Sequence, residues 1–414
     1  MLHIPPSPLP IRAINSLGGI AATMGIGHAS LVPDELIATA KKQTGLSNFG
    51  EGPHHDALAR LCTALETEAA LSFLGRHLVR QQLLKGLHVQ LQLQDWFCRY
   101  PHIADEKIER PLIIIGMPRT GTTILHELMT LDTDNRNPLF WEVAYPFPPP
   151  EKASYRNDAR IKRHQRELDF SHYLMPGVQG MHRMGSQLPQ ECVAVMAYVF
   201  TSMLYSTIFR IPGYTRWLEN GADHAAALRF HRRFHQLLQW RNKAKRWVVK
   251  SPGHLWTLPA LLHEYPDAQL IQTHRDPLRI LSSLTSLSAT LRQAYSTHID
   301  TSELAREWSD TCAFALNASM KTRQSGAIGA EQIIDIQFRD FTRAPVECVR
   351  AIYEKFELPF DQRIASRVPH YIAANPQNKH GGHQHRFVDT GLDLSNERKE
   401  AREYQEYFGV ASDI

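Results

Sequence analysis

Gly116 and Gly121 stand five residues apart, and Thr122 and Thr123 follow the second glycine directly. The segment Gly116-Met-Pro-Arg-Thr-Gly-Thr-Thr123 nearly fits the phosphate-loop pattern G-x4-G-K-[ST]. Thr122 occupies the lysine position, and a cation, Arg119, stands three places earlier. Backbone N–H groups at a helix start, the Arg119 guanidinium and the hydroxyls of Thr120, Thr122 and Thr123 together make an anion cradle. The lysine that reaches a γ-phosphate is missing, and the neighbouring strand ends offer no clear acid for Mg²⁺. The pattern therefore predicts binding of a phosphate-like group without triphosphate hydrolysis. The plain alternative is a glycine turn with no ligand. A strand before the loop, a helix after it and the arginine-plus-hydroxyl content weigh against that.

The elements that must position this loop are legible from apolar patterning. Pro111-Leu-Ile-Ile-Ile115 is a short continuous apolar run, as expected of a buried parallel strand. Ile124, Leu128 and Leu131 then mark one face of a helix. Arg246-Trp-Val-Val-Lys250 is a second strand, followed by Ser251-Pro-Gly-His254. Ala268 to Thr273 is a third, followed by His274-Arg-Asp-Pro277 and a helix with Ile280, Leu284, Leu287 and Leu291 on one face. Asp276 is placed to cap that helix and Pro277 to occupy its first position. Gln332 to Gln337 is a fourth strand, with a helix through Val349 and Ile352 behind it. Strands alternating with helices imply an α/β fold with a central parallel sheet covered on both faces. Leucines at helical spacing (71, 74, 78 and 83, 87, 91) make the region before the first strand helical. Residues 1–30, rich in Pro, Gly and Ala, read as an irregular arm. The expected division is a helical N-terminal region over 1–105 and a main domain over 106–414. From Asn375 the chain is polar, Gly/His-rich and read as a surface loop before a short terminal helix.

Composition excludes several other classes. Of 414 residues, 43% are hydrophobic and 21% charged, which rules out wholesale disorder or a fibrous repeat. A formal net charge of +4 does not argue for a nucleic-acid partner and suits a local anion pocket. Five cysteines without a CxxC pair argue against a disulfide framework or zinc ribbon and for a reducing, cytoplasmic compartment. The first residues lack the basic-then-apolar pattern of a signal peptide. Cys192 to Phe209 runs eighteen residues without a charge, the lower limit for a membrane span. Its Thr, Ser and Tyr content and the absence of flanking belts favour a helix buried inside a soluble protein, which could also line an apolar substrate pocket. No metal site is expected. His380, His383 and His385 lack a carboxylate or cysteine framework, and His126-Glu127 is not completed by a histidine at position 130.

The segment PRTGTT after an apolar strand resembles the 5′-phosphosulfate loop of the sulfotransferases that use 3′-phosphoadenosine-5′-phosphosulfate (PAPS). The resemblance covers roughly residues 110–400 and is nearest to the bacterial-type branch, with a loop similar to that of tyrosylprotein sulfotransferases. It implies a P-loop-NTPase-like three-layer sandwich. It also implies a second motif for the 3′-phosphate, an Arg at a strand end and a Ser eight residues later, which Arg275 and Ser283 match. About two helical turns separate the helix start from Ser283, so both groups can face one phosphate. Phe338 occupies the place of a family aromatic near the adenine, and Arg386 is a candidate cation for the 3′-phosphate.

The activity implied is transfer of a sulfuryl group from PAPS to an acceptor hydroxyl by in-line displacement, releasing 3′,5′-ADP and requiring no metal. Positioning and electrostatics dominate such chemistry, as in phosphoryl transfer. Arg119 and Lys250 are the expected cations, the latter at a strand end where open α/β sheets bind ligands. Glu142, flanked by Phe140 and Trp141, is the expected general base, because partial desolvation raises a carboxyl pKa toward useful strength. His254 is the alternative; it follows Lys250 by four residues, where small-molecule members have two. Glu191, at the head of the apolar run, is a third acid placed on the substrate side. The apolar run and the aromatics around 139–147 hint at an apolar hydroxyl acceptor, with carbohydrate and tyrosyl acceptors still open. A P-loop kinase and a non-catalytic nucleotide-binding protein are the competing functions.

Overall fold

The structure is a computed structural model, and it describes residues 6–50, 54–376 and 386–414. Five parallel strands form one sheet: β1 (Leu112–Ile115), β2 (Asn135–Arg136), β3 (Arg246–Lys250), β4 (Gln269–His274) and β5 (Ile333–Gln337), in the spatial order β2-β3-β1-β4-β5. The four strands expected from sequence are all present. The short edge strand β2 was not foreseen, since two residues leave no periodic trace. Strand β1 lies at the centre, with Ile113 opposite Val249 on one side and Leu270 on the other.

Alternate residues of β1 feed two separate cores, as the period-2 geometry of a strand requires. Leu112 and Ile114 pack with Leu125, Leu128, Val349 and Ile352. Ile113 and Ile115 face the other way, into a large core shared with Leu83, Leu87, Phe200, Phe234 and Leu284. Helices thus cover both faces, giving the three-layer α/β sandwich. The N-terminal helices join the second core rather than forming their own, through the long helix Phe73–Arg99, capped by Ser72 with its Oγ accepting from Gly75 N at 3.0 Å. That helix buries Val79, Leu83, Leu87 and Leu91, whereas Leu71 lies before its cap.

Two expectations need correction. Residues 9–23, read as part of an irregular arm, form the helix Leu9–Thr23, held to the long helix where Asn15 Oδ1 accepts from Leu74 N at 2.9 Å. The uncharged run from Cys192 to Phe209 is not one helix. It is the helix Cys192–Met196, a 3-10 turn over Ala197–Val199, a left-handed Phe200 (φ 59°) and the helix Met203–Ile208. Ser202 restarts the chain as an N-cap, its Oγ accepting from Leu204 N. Hydrophobicity alone could not reveal that break, because the residues at it, 197–202, are all buried. Among the described residues, no helix is long and apolar enough to cross a membrane.

Candidate active site

The loop after β1 is shaped by two glycines that no other residue could replace without movement. Gly116 has φ 144°, and a Cβ there would lie 2.2 Å from Thr273 Oγ1. Gly121, at φ 91°, caps the helix Thr122–Met129 without a side chain, so no side-chain oxygen covers the first helical N–H groups. Arg119 between them also has a positive φ, 73°. A non-glycine residue held there costs about 1–2 kcal/mol, and such strain collects at ligand sites. Thr120 is buried and structural: its Oγ1 donates to Met117 O at 2.7 Å and meets Thr273 Oγ1 at 2.6 Å. Thr122 is buried in the first turn, and Thr123 Oγ1 lies 3.4 Å from Lys250 Nζ.

Three segments distant in sequence converge beside this loop. Arg119 Nε donates to Ser283 Oγ at 2.8 Å, and its NH1 donates to Met181 O at 2.6 Å. Arg275 NH1 donates to Arg119 O at 2.8 Å, and the Arg275 guanidinium lies 4.1 Å from the centre of the Phe338 ring. Asp276 caps the helix Pro277–Arg292 as expected, its Oδ1 accepting from Leu278 N, which fixes Ser283 two turns further on. Burial draws both guanidinium pKa values down from their ordinary value. Among the described residues neither arginine has a carboxylate within ion-pair distance, and Arg275 Nε is buried without a partner. Two half-buried cations short of counter-charge, next to open helical N–H groups, form a site suited to an anion. Arg386 is not brought here: it is exposed and paired with Asp389. His380, His383 and His385 lie outside the described residues.

A second centre sits across β3. Lys250 is 3% exposed and forms an ion pair with Glu191, which opens the helix Cys192–Met196. His182 Nε2 lies 4.0 Å from the same carboxylate. Burial alone would raise the Glu191 pKa; Lys250, then His182, outweigh it and hold the carboxyl below its ordinary value. His126 lies close by, with Nε2 3.1 Å from Val248 O, and burial with Lys250 pushes its pKa down to about 3. The sequence marks Glu191 as a third acid on the substrate side, behind Glu142 and His254, and gives no sign of His182. Neither has a local motif, because only the fold brings residues 182, 191 and 250 together.

The other two base candidates are placed differently. Glu142 is fully buried, and its carboxylate is taken up by three donors: Arg136 NH2 at 2.5 Å, Leu139 N at 2.9 Å and the Tyr155 hydroxyl at 2.9 Å. None of these donors belongs to the phosphate loop or to β3's Lys250 end, and Arg136 itself lies on β2. A carboxylate so enclosed pins the helix Phe140–Ala144 and leaves no oxygen for an acceptor. His254 is also fully buried, in the turn Pro252–Leu255, with Nδ1 3.4 Å from Thr257 Oγ1 and a pKa pushed down to about 3 by burial. A side chain that enclosed, away from the phosphate loop, is ill-placed to take an acceptor proton. A further network ties the helix after the loop to the rest: Glu127 Oε2 accepts from Arg183 NH1 and from the Tyr371 hydroxyl, both at 2.7 Å. Among the described residues no group of His, Cys, Asp and Glu could hold a metal ion.

These features define a class, and comparison with known proteins agrees. The chain belongs to the sulfotransferase family, whose model matches residues 111–362. It is similar over 91% of its length to the crystal structure of sulfotransferase STF9 from Mycobacterium avium, with a TM-score of 0.83, 26% identity and 97% of that chain covered. For sulfotransferase STF1 from Mycobacterium tuberculosis H37Rv the TM-score is 0.77, with 29% identity over 89% of this chain and 97% of that one. The omega-hydroxy-beta-dihydromenaquinone-9 sulfotransferase Stf3 of Mycobacterium tuberculosis (strain CDC 1551 / Oshkosh) is 27% identical over 190 residues, 44% of this chain. That match spans 46% of the curated relative, about half its length.

Proposed function

We propose that this sulfotransferase takes its sulfuryl group from PAPS and passes it to the hydroxyl of an apolar, lipid-like acceptor. The observation that carries the donor assignment is the pair of half-buried arginines, Arg119 and Arg275, without a carboxylate partner, beside the loop Gly116–Thr123. The loop's N–H groups, with Thr122 and Thr123, would hold the 5′-phosphosulfate. Arg275 and Ser283 would hold the 3′-phosphate, and Phe338, already stacked under Arg275, would flank the adenine. The unpartnered Arg275 Nε fits such a ligand.

In the transfer, the acceptor oxygen attacks sulfur while the bond from sulfur to the bridging oxygen of the 5′-phosphate breaks. The bridging oxygen leaves with its electron pair as part of 3′,5′-ADP. Arg119 and Lys250 would stabilise the charge that gathers there, an effect of about 3–4 kcal/mol for one such donor. The acceptor proton needs a base, and Glu191 is the better candidate than Glu142 or His254. It is ionised at neutral pH, it touches Lys250, and Lys250 in turn reaches Thr123 at the head of the loop. The apolar acceptor is supported by the apolar segments following Glu191 and by the menaquinone derivative in the name of one relative. Nothing in the proposal needs a metal. The test is a transfer assay with PAPS as donor and a panel of long-chain alcohols, phenols and glycans as acceptors, run with and without EDTA. Transfer to the alcohols in EDTA supports the proposal; transfer from ATP instead would return the kinase alternative.

A further inference from the structure

The helix Ala159–Leu174 turns His164, Leu168 and Leu174 inward. Its outer side carries Lys162, Arg166, Phe170 and Tyr173, whose helical spacing places them in one stripe. All four are exposed, and the two aromatics are 54% and 49% accessible to water. A single exposed ring needs no explanation, but two rings in line with two cations do.

The cations of the stripe have no counter-charge of their own. Other charges of this helix are paired, Arg160 with Asp158 and Arg163 with Glu167. Among the described residues Lys162 and Arg166 are in no ion pair, and neither are Lys152 and Arg156, exposed just before the helix. The acid beside the stripe, Asp169, accepts from Gln165 Nε2 at 3.0 Å. The outer side is therefore cationic at its start and aromatic at its end.

The inner side of the same helix holds the chain between His182 and Glu191. Ser186 Oγ donates to Ile161 O at 2.9 Å, Ser186 N donates to Gln165 Oε1 at 3.2 Å, and His164 Nδ1 lies 3.1 Å from Ser186 Oγ. One helix, about 10 Å thick, thus separates the stripe from the segment that carries Glu191.

We propose that this stripe rests on an anionic lipid surface. Lys162 and Arg166 meet the headgroup phosphates, while Phe170 and Tyr173 enter the boundary between headgroups and acyl chains, where amphipathic rings settle. An acidic protein would satisfy the cations alone. The rings, one of them with a polar tip, match the graded interface of a bilayer, and a lipid-like acceptor would already reside there. In that respect the inference rests on the apolar acceptor proposed above.

The experiment is co-sedimentation of the full chain with vesicles of phosphatidylcholine alone and of phosphatidylcholine mixed with phosphatidylglycerol, at low and high salt. Binding to the mixed vesicles, weakened by salt, is expected. Lys162→Gln with Arg166→Gln should weaken it about thirtyfold, about fivefold for each cation, and flatten its salt dependence. Phe170→Ser with Tyr173→Ser should weaken it too and leave the salt dependence as it was. Equal binding to both kinds of vesicle, or binding untouched by either double variant, would overturn the proposal. Binding of poly-glutamate but of neither vesicle would overturn it as well and give the face to an acidic protein. Transfer from PAPS to a short, water-soluble alcohol, assayed alongside, should be unchanged in both double variants, while transfer to a long-chain alcohol carried in mixed vesicles falls. If no alcohol is sulfated while the mixed vesicles still bind, the proposed function falls and the lipid-facing stripe stands.

Discussion

The proposed donor end and the proposed acceptor end of this site are built on the same sheet but by different means. At the donor end, each element supplies a short local motif: a glycine loop after β1, an Arg-Asp-Pro turn after β4 with Ser283 two turns on, and Phe338 directly after β5. The parallel sheet aligns these strand ends, so the motifs meet almost by construction. At the proposed acceptor end, apart from Lys250 at the end of β3, the groups come from irregular chain. His182 lies in a segment after a four-residue helix, and Glu191 at the start of a five-residue helix. Only long-range packing joins them. The difference teaches that a strand end announces its chemistry in sequence, whereas a site assembled from connections does not.

The largest expected effect contrasts two glutamates. Glu191→Gln should lower the rate of transfer by about 10²–10⁴ while 3′,5′-ADP still binds, as expected of a base that acts only on the acceptor proton. Glu142→Gln should instead lower stability, by about 3–5 kcal/mol, because Arg136 is left as an unpaired buried cation. Chemical denaturation and a single-turnover assay on both variants separate the two roles. The pH profile sharpens the contrast. With the Glu191 carboxyl held below its ordinary value, the base stays ionised through neutral and mildly acidic pH. The acidic limb of the rate should therefore lie below pH 4.5 and disappear in Glu191→Gln. A rate unchanged in Glu191→Gln would return the base to Glu142 or His254.

Arg119→Gly is the next largest, a loss of about 3–4 kcal/mol in transition-state stabilisation. Glycine accepts the positive φ without cost, so the substitution should leave the melting temperature near that of the native protein. An active, stable Arg119→Gly protein would remove the arginine from the chemistry and leave the donor end as a binding site alone.

A smaller effect concerns stability in acid. His126 and His254 are buried with pKa values near 3, against an ordinary 6.5. Between these values the unfolded chain binds protons that the folded one refuses, so stability is complete above pH 6.5 and falls as the pH drops toward 3. By pH 4 each contributes a loss of roughly 3 kcal/mol. His254→Asn should flatten that fall by about one proton's worth in melts from pH 7 to pH 4. A slope unchanged by the substitution would show that the turn after β3 opens to water.

How much was legible follows the same division. The four long strands and the loop Gly116–Thr123 are readable because apolar runs and glycine spacings are local; Arg275, Ser283 and Phe338 come from the family resemblance, and the structure gathers them beside the loop. Edge strand β2 was too short to leave a pattern. The break at Phe200 was invisible because the residues at it, 197–202, are all buried. Glu142 reads as a base because it is flanked by Phe140 and Trp141, yet the fold buries it on Arg136, a residue six positions earlier that no local signal marks as its partner. Lys250 was found at its strand end, but its partner Glu191 carried no signal beyond its place before an apolar segment.

The central claim is that Arg275 and Ser283 form a 3′-phosphate subsite beside the phosphate loop of a PAPS-dependent enzyme. It is tested most directly by the ratio of affinities for 3′,5′-ADP and 5′-AMP, measured by calorimetry on the wild type and on Arg275→Ala. The wild type should bind 3′,5′-ADP more tightly by about 1.5–3 kcal/mol, the worth of a charge-assisted hydrogen bond, and Arg275→Ala should lose most of that difference. Equal affinities for the two nucleotides in the wild type, or a preference untouched by the substitution, would contradict it.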